Sequence, residues 1–166
     1  VSDDGLSLLM KVQNVAPFVD AAAYVLEQCI PDARIRRGEL KFSTDPHISA
    51  GITTFIGLTG TLRGRVVYDM SKQTAISIAS EMNNEKQVGM NTLVRSTISE
   101  LANMMTGNAA TRLNQSGQDV DITPPTFIIG TETEVYSYKS MGHLIVPIET
   151  RCGLLILSLS VTDEQG

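Results

Sequence analysis

The sequence predicts an α+β fold, a two-layer domain with an antiparallel sheet of about six strands, in two three-stranded halves, and long helices on one face. Strand-like segments follow one another across short turns, which favours antiparallel pairing. Two helical patterns stand together between the two groups of strands, which favours one covered face. Proline and glycine are spread evenly, so we expect residues 1–166 to form a single domain.

The first half of the chain predicts one helix and a meander. Residues 1–10 are either a leading arm or a short strand, and the pattern does not choose between them. A helix is predicted over 15–30, with Pro17 in its first turn and Pro31 beyond its end. Three strands of an antiparallel meander are then predicted at 33–43, with a bulge at Gly38, at 47–61 and, after a turn at 62–64, at 64–70.

The second half predicts two helices and three strands. Ser71 is a candidate N-cap for a helix over 71–82. Asn91 or Thr92 can cap a longer helix, for which Gly117 is a candidate stop. A loop over 115–126 closes at Pro124 and Pro125. The remaining strands are predicted at 126–138, 143–148 and 152–161, the last two as a hairpin.

The long helix has two distinct faces. Its buried stripe is predicted to consist of Val94, Ile98, Leu101, Met105 and Ala109. Ser96, Glu100, Asn103 and Gly107 fall on the opposite face, within a sector of about 60°. A carboxylate and a carboxamide therefore stand side by side, three residues apart, on the face turned to solvent. Leu93 and Met104 lie off the buried stripe and are candidate apolar contacts for a partner.

Composition and charge exclude several functional classes. The net charge of −5 and pI of about 5.0 disfavour nucleic-acid binding, which needs a basic face. Cys29 and Cys152 have no spacing typical of metal or redox chemistry, and we expect reduced thiols. The first ten residues contain no basic segment typical of a secretion signal, and no apolar run approaches the roughly 20 residues of a membrane helix. We expect a cytoplasmic protein.

Common catalytic patterns are absent from the sequence. There is no GxSxG, Walker loop, GxGxxG or HExxH pattern, and there are too few clustered ligands for a metal site. His47 and His143 stand in strand-like segments and are interpreted as structural. The candidate set is Ser96, Glu100 and Asn103 on the long helix. Ser77, Glu81 and Asn84 share its spacing, but Asn84 follows the last periodic residue, and no proline follows at the matching distance.

The pattern around Glu100 resembles the signature of a known family. Asn103 is followed by 21 residues and then Pro125, and Asp/Ser-x3-Glu-x2-Asn with a later proline is similar to the active-site motif of the CheC–CheX–FliY chemotaxis phosphatases. The segments GTLRGRVVYDMSKQTAISIASEM, ELANMMTG and DITPP also resemble that family. With one site in a short chain, the resemblance is to CheX-like members and implies a homodimer.

The resemblance implies a phosphatase that hydrolyses the aspartyl phosphate of a CheY-like response regulator. The regulator's own Mg²⁺ and lysine neutralise the phosphoryl oxygens, so this chain needs no metal or cofactor. Asn103 then orients the attacking water, because a carboxamide both donates and accepts hydrogen bonds. Glu100 pairs with the partner's lysine, and Ser96 is a supporting contact. Gly107 lets the partner approach closely, helped by the small Ala110, and Met104 is an apolar contact.

Two other functions stay open at this point. The domain can bind a phosphorylated regulator without hydrolysing it, or it can be a structural dimerisation domain whose polar helix face is only solvated. For a homodimer that joins two sheets, either 152–161 or 33–43 is a candidate edge strand.

Overall fold

A computed structural model describes residues 3–135 and 142–163 and has the predicted α+β architecture. Its elements in chain order are α1 (Asp3–Cys29), β1 (Arg36–Arg37), β2 (Lys41–Ser43), β3 (His47–Gly60), β4 (Leu62–Met70), α2 (Lys72–Asn83), α3 (Thr92–Gln115), β5 (Val120–Ile122), β6 (Thr126–Val135), β7 (His143–Thr150) and β8 (Gly153–Asp163). Residues 136–138, the predicted end of one strand, lie outside the described residues.

The described strands form one antiparallel sheet of eight, where about six in two halves were predicted. Its order is β1-β7-β8-β4-β3-β5, with β2 also on β7 and β6 also on β3. The predicted strand 33–43 is two short strands interrupted at Gly38, whose N–H donates to the Pro147 carbonyl at 2.7 Å. Both pieces pair with β7 rather than with β3, so the predicted meander was wrong for this segment.

The helix termini of α2 and α3 follow the predicted caps. Ser71 accepts a hydrogen bond from the backbone N–H of Thr74, and Asn91 accepts one from that of Val94. Such side-chain acceptors stabilise helices by about 1 kcal/mol each. Gly117, with φ of 95°, lies just beyond the end of α3 and turns the chain towards β5.

Two predicted boundaries were wrong. Residues 3–10 belong to α1, so Pro17 lies inside the helix rather than in its first turn. The proline removes one backbone hydrogen bond, but the residues after it continue a buried stripe that includes Phe18 and Leu26. The chain reverses at Gly60 and Thr61, and not at 62–64, because Gly60 adopts the positive φ of 103° that the turn needs.

The hydrophobic core lies between the helices and one face of the sheet. The predicted α3 stripe is entirely buried, with exposed fractions of 0–1%. Alternate residues of β8 face it, as the sequence predicted: Leu155, Leu157, Leu159 and Val161. The α3 helix contacts both α1 and α2, as well as β3, β5 and β6, and so holds the layer together.

The other face of the sheet contains a buried polar cluster around Asp69, which is only 2% exposed. Its carboxylate accepts hydrogen bonds from the hydroxyls of Ser49 and Thr53 at 3.0 and 2.9 Å and from the Ala50 N–H at 2.9 Å. His47 Nε2 lies 3.5 Å from the same carboxylate. A bulge between Ile48 and Ala50 places Ser49 over this face. The cluster therefore ties the bulged part of β3 to Asp69 of β4.

Candidate functional site

The groove beside α3 brings together the predicted site residues. Glu100 is exposed and Asn103 is half-buried. Both line one groove of about 680 Å³, whose other wall is the chain segment 122–125. Ser96 and Ser99 line it as well, and Pro124 and Pro125 stand opposite the helix. The carboxylate and the carboxamide thus stand on one face of α3, as their spacing predicted, and they share one open groove.

The side-chain polar groups of Glu100 and Asn103 have no hydrogen-bond or ion-pair partner in the described part of the chain. The Ser96 hydroxyl, by contrast, donates to the Leu93 carbonyl at 3.1 Å. The carboxamide of Asn103 can therefore both donate to and accept from a molecule that enters the groove, and Glu100 can take a cation.

The wall opposite α3 is fixed to the sheet. The Thr123 N–H donates to the Gly57 carbonyl at 2.9 Å, and the Gly57 N–H donates to the Thr123 hydroxyl at 2.8 Å. A Cβ on Gly57 would lie 3.0 Å from the Thr123 side chain, so glycine permits this close approach. The two prolines that follow Thr123 restrict the backbone further. The groove is therefore rigid on its sheet side.

Asn114, in the last turn of α3, connects the helix to β5. Its side-chain amide donates to the Val120 carbonyl at 3.1 Å, and its carbonyl accepts from the Val120 N–H at 2.8 Å. Neither this clamp nor β5 was predicted from the sequence, which indicated a loop here. Only the short alternation of Val120 and Ile122 indicates a strand there. The clamp therefore joins the end of α3 to the strand that leads into the proline wall.

Met104 and Gly107 line a second groove of about 470 Å³ on the α1 side of α3. Asn103 belongs to both grooves and forms the ridge between them. Met104 is exposed, in agreement with its predicted place off the buried stripe. Ala110 is buried, so the expectation that it borders the approach of a partner was wrong.

The second set with the same spacing is occupied by structural contacts. Glu81 accepts a hydrogen bond from Arg151 Nη1 at 3.1 Å, and the same guanidinium donates to the Pro31 carbonyl. Asn84 is the C-cap residue of α2, in a left-handed conformation with φ of 49°. Ser77, Glu81 and Asn84 therefore do not form a groove-facing set, as predicted from the end of the helical pattern.

The histidines stand apart from α3. His143 opens β7, and its pKa is lowered chiefly by burial and further by His47 and Arg65, while Asp45 opposes the shift. Within the described ranges, no group of three or more His, Cys, Asp or Glu side chains is placed to hold a metal ion. None of the helices in this part of the chain is both long and apolar enough to cross a membrane.

The family model for the chemotaxis phosphatase CheX matches residues 52–149, which include α3, the 122–125 wall and most of the sheet. The chain belongs to the CheX family. The CheY-P phosphatase CheX of Thermotoga maritima is 37% identical over 111 residues, which cover 65% of this chain and 72% of that protein. The predicted resemblance is therefore confirmed at the level of the family.

Solved structures of CheX proteins share the fold. The CheX of a CheX–CheY–BeF3–Mg²⁺ complex from Borrelia burgdorferi has a TM-score of 0.77 and 29% identity, over 90% of this chain and 97% of its own. The CheX of Desulfovibrio desulfuricans has a TM-score of 0.81 and 19% identity, over 90% of this chain and 99% of its own. The second similarity concerns the fold alone.

Proposed function

We propose that this protein is a phosphatase that hydrolyses the aspartyl phosphate of a CheY-like response regulator. The observation that carries the proposal is the pair Glu100 and Asn103, which line one open groove and whose side chains make no hydrogen bond or ion pair among the described residues. The similarity to the CheY-P phosphatase of Thermotoga maritima supports the reaction class. The Borrelia burgdorferi complex of CheX with CheY supports the class of partner.

In this proposal Asn103 positions the nucleophile. Its carboxamide enters the partner's phosphorylated pocket and holds a water molecule in line with the bond between phosphorus and the aspartyl oxygen. The water attacks phosphorus, the bond to the carboxylate breaks, and inorganic phosphate leaves. Asn103 exchanges no proton in this step, because its contribution is alignment, and alignment alone can change a rate by about 100-fold or more.

Glu100 docks the helix in this proposal. It lies one turn before Asn103 and forms an ion pair with the lysine of the partner's active site. The partner also supplies the Mg²⁺, in agreement with the ion named for the Borrelia burgdorferi complex. Ser96, Met104 and Gly107 are proposed as partner contacts around these two residues.

Substitution of the two residues tests the proposal. The assay follows release of phosphate from a receiver domain labelled by acetyl phosphate and Mg²⁺. We expect Asn103→Ala to lose at least about 100-fold in turnover while keeping much of its affinity, and Glu100→Ala to lose both. Asn84→Ala is the matched control, because it removes the same side chain from the set that does not face the groove. Normal turnover by Asn103→Ala would refute the assignment.

The same assay separates hydrolysis from sequestration. A phosphatase accelerates the decay of the labelled regulator, whereas a protein that only binds the phosphorylated form slows it. If the protein only binds the regulator, Glu100→Ala should weaken binding and Asn103→Ala should have no effect. A purely structural domain would not bind the regulator and would leave its decay rate unchanged.

We also propose that the protein is a homodimer joined at a sheet edge. The candidate edge 152–161 was wrong, because β8 lies between β7 and β4 inside the sheet. The candidate 33–43 stays, since β1 and β2 pair only with β7 among the described strands and carry the exposed Phe42. Light scattering should find a dimer that Phe42→Lys dissociates, with Ile129→Lys in β6, near the opposite edge of the sheet, as control. A dimer that survives Phe42→Lys contradicts this edge.

A further inference from the structure

A second groove lies next to Asn103, on the side away from the proline wall. We call it the α1–α3 groove. It has a volume of about 470 Å³ and is open along the surface between the two helices. Its walls include Tyr24 and Gln28 from α1 and Asn103, Met104, Gly107 and Asn108 from α3.

The chemistry of this groove is uncharged and largely apolar. None of the side chains that line it carries a charge. Tyr24 is 49% exposed and Met104 is 38% exposed, so two large side chains with apolar surface stand at the rim of one groove. A charged group buried here would meet no opposite charge among the lining side chains, and the nearby guanidinium of Arg112 is already engaged by Asn108 and by the Tyr24 ring, so burial of such a group is costly. The groove therefore fits an apolar side chain rather than a lysine or a carboxylate.

The ring of Tyr24 is held in position. The guanidinium carbon of Arg112 lies 5.7 Å from the ring centroid, a cation–π distance. Arg112 is itself oriented, because its Nε donates to the Asn108 side-chain oxygen at 2.7 Å. A ring fixed before binding loses little side-chain entropy when a partner covers it. The exposed part of the Tyr24 ring is thus ordered before a partner binds, and it stays accessible among the described residues.

We propose that the α1–α3 groove receives an apolar side chain of the phosphorylated receiver domain, next to its phosphoaspartate. Tyr24 and Met104 then determine which regulator is accepted. The inference rests on the proposed function, because it requires the partner to stand over Asn103. Asn103 is the common wall of both grooves. A specific interface covers about 800 Å² on each partner, so a receiver domain centred on Asn103 extends over the adjoining groove.

Tyr24 is a specificity residue and not a catalytic one. It belongs to α1 and does not line the groove that holds Glu100. Its loss should weaken the encounter with the regulator without disturbing the alignment of water at Asn103. The expected signature is a raised KM with an almost unchanged kcat.

The test compares steady-state phosphate release by four variants, with a receiver domain labelled by acetyl phosphate and Mg²⁺. Tyr24→Ala should raise KM about tenfold and leave kcat within about twofold, as expected for an aromatic interface anchor. Tyr24→Phe keeps the ring and should restore KM to within about threefold. Met104→Ala should shift KM in the same direction from the other helix. Leu154→Ala, an exposed apolar residue of β8, is the control and should match the unchanged protein.

Three outcomes would overturn the inference. If Tyr24→Ala and Met104→Ala leave KM unchanged while Asn103→Ala abolishes turnover, the groove is not a partner contact and the phosphatase proposal stands. If the variants change self-association in sedimentation velocity and not KM, the groove holds a second copy of this chain. If the unchanged protein does not accelerate decay, the phosphatase proposal itself fails, and the inference fails with it. Thermal unfolding of each variant shows that lost affinity is not lost folding.

Discussion

Gly107→Ala should have opposite effects on stability and on partner binding. Gly107 lies in the interior of α3, where alanine is favoured over glycine by about 0.8–1.0 kcal/mol. A Cβ at this position would meet only Ile122 Cδ1, at 3.9 Å, which is ordinary van der Waals contact. Nothing in the described chain offsets the gain. We expect the free energy of unfolding to rise by about 1 kcal/mol and Tm by about 2–4 °C.

The added methyl group should weaken the partner's contact. It would add bulk at Gly107, which lines the α1–α3 groove where the proposed partner inserts a side chain, although its nearest neighbour is Ile122 on the proline-wall side. Overfilling a fitted contact costs about 1–3 kcal/mol, which corresponds to a rise in KM of about fivefold or more. Thermal unfolding and phosphate release measure the two effects separately. A lower Tm would refute the packing argument, and a raised Tm with unchanged KM would refute close approach at Gly107.

Three further substitutions test the supports of the site and the fold. Asn114→Ala removes both hydrogen bonds to Val120, so denaturant unfolding should show a loss of about 1–2 kcal/mol in the free energy of unfolding. Turnover should also fall as the proline wall loosens. Unchanged turnover would show that the clamp does not hold the groove in its active shape. Asp69→Ala leaves several buried donors without an acceptor and should cost about 2–4 kcal/mol in urea unfolding, and a smaller loss than Asn114→Ala would contradict its structural role. Tyr68→Phe loses the 2.9 Å hydrogen bond to Thr106, at a cost of about 1 kcal/mol near neutral pH. Burial raises the pKa of Tyr68, so the unfolded chain ionises first and wild-type stability should fall as pH rises above about 10, a loss absent from Tyr68→Phe.

The placement of the candidate side chains on α3 could be predicted because its information is local. The stripe of α3 repeats with the period of a helix, so the phase of Glu100 and Asn103 follows from the buried residues alone. The cap at Asn91 fixes where that phase begins. The end of α2 was equally clear, because its periodic residues stop at Met82, which places Asn84 beyond the helix.

Long-range pairing has no comparable local signal. The segment containing β1 and β2 follows α1 in the chain but pairs with β7, more than a hundred residues later. Nothing in its alternation distinguishes β7 from β3 as a neighbour. The short strand β5 is held at its N-terminal end by hydrogen bonds from Asn114 to Val120 and from Asp119 to Thr61, and such contacts have no periodic signal. Pro17 misled the prediction of α1 because proline is more common at helix starts than inside helices.

The contact between Arg151 and Glu81 has a consequence under the proposed function, because it affects how many phosphorylated regulators one chain can bind at once. The set Ser77, Glu81 and Asn84 has the same spacing as the set Ser96, Glu100 and Asn103. The two sets differ because the Arg151 guanidinium binds Glu81 and because α2 ends before Asn84. A variant with a second such site would need three changes: Glu81 freed from Arg151, α2 extended beyond Asn84, and a proline placed opposite that helix. Under the proposed function, the described part of one chain therefore offers one set of this spacing to one regulator at a time.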